Sequence, residues 1–124
     1  MKIIFFSESD YNFSAKLAKV CDFQSYELIF LNNFDYLDSI KDKNNVLLII
    51  DFNDYKNDLD LIITSIKNKV HFPICLLVDK IESKTQKEIN KIGFDIVMTK
   101  STFLMNIKTI QNQIANNFKY NQRQ

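Results

Sequence analysis

The chain has 124 residues, enough for one domain that buries roughly two thirds of the surface its unfolded form exposes. Its 46% hydrophobic and 25% charged residues, with a formal net charge of +1, exclude a disordered or fibrous protein and provide no concentrated positive field for gripping nucleic-acid phosphates. No apolar stretch is long enough to span a bilayer and Met1 to Ser7 is too short for a secretory signal, so the expectation is a cytoplasmic protein, away from membranes, with Cys21 and Cys75 as free thiols.

Short apolar runs recur along the chain, separated by longer segments with helical spacing. Ile3 to Phe6 reads as the first strand, followed by a helix with Phe13, Leu17 and Val20 at i, i+4 and i+7 and with Ser9 or Asp10 as its cap. Leu28 to Leu31 is the second strand, with a shorter helical stripe at Phe34, Leu37 and Ile40. Val46 to Ile50 is the third, running straight into Asp51, and Leu59, Ile62, Ile63 and Ile66 predict a helix after it. Ile74 to Val78 is the fourth strand; the mostly polar helix behind it, Ser83 to Ile92, closes on Gly93 as its cap. Ile96 to Met98 is the fifth, and a last helix spans about Thr102 to Phe118 with Phe103, Ile107, Ile110 and Ile114 as its stripe.

The strand runs are continuous rather than alternating, which suits parallel strands covered on both faces. Five strand-helix units in strict alternation predict an α/β, flavodoxin-like, doubly wound sheet of five parallel strands in order 2-1-3-4-5 with five helices. The expected domain covers residues 1–118, with 119–124 as a polar tail or linker stub.

In such sheets the functional groups gather at the carboxyl ends of the strands. Strand one ends in Ser7-Glu8-Ser9-Asp10, strand three in Asp51-Phe52-Asn53-Asp54, strand four in Asp79-Lys80 and strand five in Thr99-Lys100-Ser101. Carboxylates and an ammonium on one edge, with Asp51 central, are what a divalent cation and a phosphoryl group require: oxygen ligands, a carboxylate nucleophile and a cation to meet incoming negative charge. Each residue also has a plainer reading. Asp51 taken alone is a solvated turn cap, and Lys100 is a structural counter-ion to Asp51. His71 has no second histidine with which to bind metal, and the acidic stretch Asp51 to Asp60 lacks the central glycine and final glutamate of a calcium loop.

With these residues in place, the chain resembles the receiver domain of bacterial response regulators over nearly its whole length. "KIIFFSES" stands where that family has strand one and its acidic pair, "VLLIIDFND" is similar to the strand carrying the phospho-accepting aspartate, "FPICLLVDK" to the fourth strand with its leading proline, and "GFDIVMTKST" to the segment ending in a lysine. The resemblance implies Asp51 as phospho-acceptor, Lys100 as the phosphate-facing lysine, and Glu8, Asp51 and the backbone carbonyl of Asn53 as ligands of Mg²⁺. It also marks departures. Ser7 replaces the first acid, Val78 stands where a Thr or Ser hydroxyl follows the phosphoryl group, Val97 stands at the aromatic switch, and Ser101 follows Lys100 in place of proline. A hydroxyl bonded to a charged group is worth about 1.5 to 3 kcal/mol, which valine cannot supply.

The resulting expectation is an atypical receiver in bacterial signal transduction or transcriptional regulation, not an enzyme. It acts mainly as a dimerisation or interaction module with weak or absent phosphorylation at Asp51. The alternatives are a conventional Mg²⁺-dependent phospho-accepting receiver in a two-component phosphorelay, with a sensor kinase as partner, and a flavodoxin-like protein binding a flavin or nucleotide. "SESD" is too short and too acidic for the phosphate loop that the last of these needs. Homodimerisation is expected through the face made by helix four, strand five and helix five, with Met105, Phe118 and Tyr120 enlarging it. DNA is a partner only if a further domain follows Gln124.

Overall fold

The computed structural model describes residues 1–40 and 45–122 and, of these, the side chains of all but 39 and 116–122. Five strands form one parallel sheet: β1 (Lys2–Phe6), β2 (Glu27–Leu31), β3 (Val46–Asp51), β4 (Ile74–Val78) and β5 (Ile96–Thr99), in the order β2-β1-β3-β4-β5. This is the expected flavodoxin-like topology, and each predicted apolar run lies inside a strand.

Side chains alternate across a strand, so each strand feeds two cores. Ile3, Phe5, Leu47, Ile49, Cys75 and Leu77 point to the face covered by α1 (Tyr11–Phe23) and α5 (Lys100–Gln122), where they meet Phe13, Leu17, Phe103, Ile107 and Ile110. Ile4, Phe6, Leu48, Ile50, Leu76 and Val78 point to the opposite face, covered by a 3-10 helix (Asp35–Ser39), α3 (Leu59–Lys69) and α4 (Ser83–Asn90). Phe6 stacks on Phe34 at 4.3 Å between ring centres, and Tyr55 meets Phe34 edge-on at 5.8 Å. Both faces of the sheet being buried is why the strands read as unbroken hydrophobic runs.

Four local details differ from expectation. The stripe at Phe34, Leu37 and Ile40 forms a five-residue 3-10 helix instead of an α-helix, with Asn33 Oδ1 accepting the Asp35 N–H at its start. A short helix, α2 (Phe52–Tyr55), follows β3 directly, because Asp51 caps it by accepting the Asn53 N–H at 3.0 Å. Helix α4 stops at Asn90 rather than Ile92; Gly93 sits beyond its end in the turn to β5, where its φ of 109° and a Cβ position only 3.0 Å from Lys67 Nζ demand glycine. Helix α5 starts at Lys100 and continues through Gln122, past the expected end, with a break at Asn106 (φ −120°, ψ 16°) whose side-chain amide donates to the Thr102 carbonyl.

Candidate functional site

Asp51 is the last residue of β3, and alternation turns its side chain to the same face as Leu47 and Ile49, under α1 and α5. That placement decides its partners. Lys100, the first residue of α5, and Asp10, the N-cap of α1, both stand over it; Asp79, one residue beyond Val78 on the neighbouring strand, falls on the same side. Lys100 Nζ lies 2.7 Å from Asp10 Oδ2, 2.9 Å from Asp51 Oδ2 and 3.2 Å from Asp79 Oδ1, and 5.7 Å from the centre of the Phe13 ring. One ammonium therefore serves three carboxylates.

Burial sorts these groups. Asp51 is 0% exposed and Lys100 8%, the two buried charged residues among those described. Asp51 Oδ1 accepts the Asn53 N–H, and Oδ2 lies against the Lys100 ammonium. Burial pushes the Asp51 carboxyl above its ordinary value, and it outweighs the bond and charge of Lys100, which pull the other way. For Lys100 the balance reverses: burial disfavours the ammonium, but hydrogen bonds to Asp10, Asp51 and Asp79 hold its pKa well above the usual lysine range. The bond from Lys100, followed by the Phe13 N–H, keeps Asp10 below the ordinary carboxylate value.

A second cluster lies beside the first. Asp54 accepts from the Glu8 N–H at 2.7 Å, the Ser9 hydroxyl at 2.5 Å and the Ser7 hydroxyl at 3.3 Å, tying the loop after β1 to α2. Burial alone would raise the Asp54 pKa, but these donors outweigh it and hold it low. The donors that a bound phosphate would need in the loop after β1 are thus taken by a carboxylate of the chain itself, an arrangement that disfavours the flavin or nucleotide reading. The Tyr55 hydroxyl is buried nearby without a hydrogen-bond partner among the described residues, and its pKa is pushed up to about 12 by burial and then by the charges of Glu8, Asp54 and Asp51.

The structure brings Asp51, Asn53 and Lys100 together, and it leaves Glu8 an exposed residue whose backbone N–H donates to Asp54. Ser7 is bonded to Asp54. Val78 is buried on the opposite face against α4, and Val97 is partly buried in the same core. The nearest hydroxyl on β5, that of Thr99, is occupied at the start of α5, accepting the Thr102 N–H at 3.2 Å and donating to the Thr102 hydroxyl at 2.8 Å. Asp10 and Asp79 are residues that the sequence placed on this edge without a role in the site: Asp10 was legible as a helix cap, but that its second oxygen reaches Lys100 follows only from how α1 and α5 pack. For Asp79 the signal was its place directly after β4.

No family model matches this chain, and no curated protein matches it at a significant level. Solved structures do. A response regulator from Hahella chejuensis superposes with a TM-score of 0.63 at 20% identity, over 97% of this chain and 94% of that one. The fold is that of a receiver domain. A response regulator CheY-like protein from Mesorhizobium loti gives 0.62 at 19% identity, over 89% of this chain and 97% of that one, and a response regulator in red light signaling of R. palustris gives 0.60 at 16%, over 88% and 90%.

Receiver domains commonly bind Mg²⁺ at the acidic pocket, which takes a shell of oxygen ligands. The residues here do not present such a shell. Mg²⁺ demands near-ideal octahedral oxygen geometry. Here a serine stands for one acid, Glu8 is an exposed residue, and the Asp51 oxygens face an N–H and an ammonium. Among the described residues no group of three or more acidic, His or Cys side chains is disposed to hold a metal.

Proposed function

We propose that this chain is an atypical receiver module of bacterial signal transduction that works through protein contacts, with weak or absent phosphorylation at Asp51 and no catalysis of its own. The observation that carries this reading is the fully buried Asp51 beneath a lysine ammonium already paired with two other carboxylates. A carboxylate nucleophile has to reach its phosphodonor, and added phosphoryl charge of about −1.5 to −2 has to be neutralised. Asp51 offers little of the first, and Lys100 has little left for the second. Val78 supplies no hydroxyl to report the event, and Val97 no aromatic ring.

The contact surface proposed is the face of α4, β5 and α5, pairing two copies of the chain. Met105 on α5 is 82% exposed and Ile81, just before α4, is 59% exposed, apolar surface that a partner would cover. The side chains of Phe118 and Tyr120, expected to enlarge it, lie outside the described residues. A role in transcription would follow only from a DNA-binding domain beyond Gln124.

The test is exposure to a small acyl-phosphate donor with Mg²⁺, read by intact mass with Asp51→Asn as control. The expected result is no adduct on either protein. A stoichiometric adduct on the wild type that disappears in Asp51→Asn would instead establish a conventional phospho-accepting receiver with a sensor kinase as partner, the reading favoured by the 2.9 Å approach of Lys100 to Asp51.

A further inference from the structure

Asp79 joins three segments that are distant in the chain. Its Oδ1 is 3.2 Å from Lys100 Nζ at the start of α5, and its Oδ2 accepts from the Asn53 side-chain amide on α2. Both donors sit beside Asp51, whose Oδ1 already accepts the Asn53 backbone N–H and whose Oδ2 lies against the same ammonium. Any negative group added at Asp51 Oδ2 would have to be met by a cation, and among the described residues Lys100 is the one within ion-pairing distance. Asp79 already supplies a negative charge to that cation.

The consequence lies in the loop. Residues 79–82 lead from β4 into α4 and are all exposed; among the described residues, the side-chain hydrogen bonds and ion pairs of this loop are those of Asp79. Asp79 and Asn53 also form one wall of a cavity of about 310 Å³ between α2 and α4, floored by Phe52, Val78 and Ile89. An open cavity of that size leaves the loop and the first turn of α4 without packing from this side. Asp79 ties the start of this loop to both Lys100 and Asn53.

We propose that Asp79 is a built-in anion that engages Lys100 Nζ and Asn53 Nδ2 in place of a modified Asp51, latching the loop into α4 and setting the position of that helix. Asp79 is thus a positioning residue for the α4 side of the molecule. The proposal rests on the reading above, because a chain that responds through phosphorylation would have no use for a permanent anion at this point.

Amide hydrogen exchange on the full chain tests it, since exchange reports local opening segment by segment. Asp79→Asn keeps the shape and removes the charge; Asp79→Ala removes both. In each, residues 80–90 should exchange about tenfold faster than in the wild type, equivalent to about 1.4 kcal/mol of local opening free energy, while β1 and β3 stay unchanged. Wild-type exchange at 80–90 in Asp79→Asn would overturn the proposal, because the charge would then be dispensable. An equal acceleration through β1 and β3 would also overturn it, since Asp79 would then add only to global stability. A phosphoryl adduct on wild-type Asp51 defeats the function proposed above, and exchange alone judges the latch.

Discussion

Lys100 is a single positive charge answering three carboxylates, and the depth of each decides what its loss would do. Replacing it with methionine leaves Asp51 buried with no cation, the situation that costs about 3 to 5 kcal/mol when one partner of a buried pair is removed. Urea denaturation should show that loss at pH 7.5 and a smaller one at lower pH, as Asp51 in the variant is protonated instead of staying charged. In the wild type Asp51 titrates above its unfolded value of 3.8. Between the two values the folded chain holds more protons than the unfolded one, so the Asp51 contribution to stability falls as pH rises through that window. Asp51→Asn should therefore stabilise the protein at pH 7, a gain that shrinks as pH falls toward 3.8. No gain at pH 7 would mean that the ion pair with Lys100 outweighs the burial of the charge. Asp10 has the opposite sign: its pKa is lowered, so its contribution is present above 3.8 and lost as pH falls through its folded value.

At the scale of elements, Asp10 shows how one residue can belong to a helix and to the pocket at once. Its Oδ1 caps α1 through the Phe13 N–H at 3.0 Å while its Oδ2 holds Lys100 at 2.7 Å. The two roles separate in a pair of variants: Asp10→Asn keeps an oxygen for the cap and loses the charge, whereas Asp10→Ala loses both, and should be less stable than Asp10→Asn by about 1 kcal/mol in thermal or urea unfolding. Equal stability of the two would show that the cap contributes nothing. The strands were legible because both faces of the sheet are buried, which forces unbroken runs such as Val46 to Ile50. Helix ends were harder to read. Asp51 looked like the end of a strand and is also the cap of α2; Gly93 looked like the stop of α4 and serves the turn after it; and the break at Asn106 comes from a side-chain amide bonding the carbonyl four residues back. Each of these depends on where a single polar group finds its partner, which hydrophobic periodicity does not encode.

For the molecule as a whole, the order of the strands puts Asp51 at the centre of the carboxyl edge, flanked by the loops after β1 and β4, and this much followed from the alternation of strands and helices. The gathering of acids and Lys100 on that edge was legible too. That the acids divide into two sets was not, one around Lys100 and one in which Asp54 binds Ser7, Ser9 and the Glu8 N–H, because the division depends on side-chain reach across loops. The proposed pairing of two copies through α4, β5 and α5 predicts that the wild type sediments as a dimer and Met105→Glu as a monomer with unchanged circular dichroism. A monomeric wild type would remove that surface from the account.

On the proposed reading, the pocket around Asp51 is filled by the chain's own cation and anions, which disfavours Mg²⁺ and phosphoryl chemistry there. The most direct measurement is a Mg²⁺ titration of the wild-type protein followed by the backbone amide signals of Ser7, Glu8, Asp51 and Asn53. The account predicts no saturable shift of these signals at millimolar Mg²⁺. Saturable shifts confined to these four residues, abolished by Asp51→Asn, would contradict it.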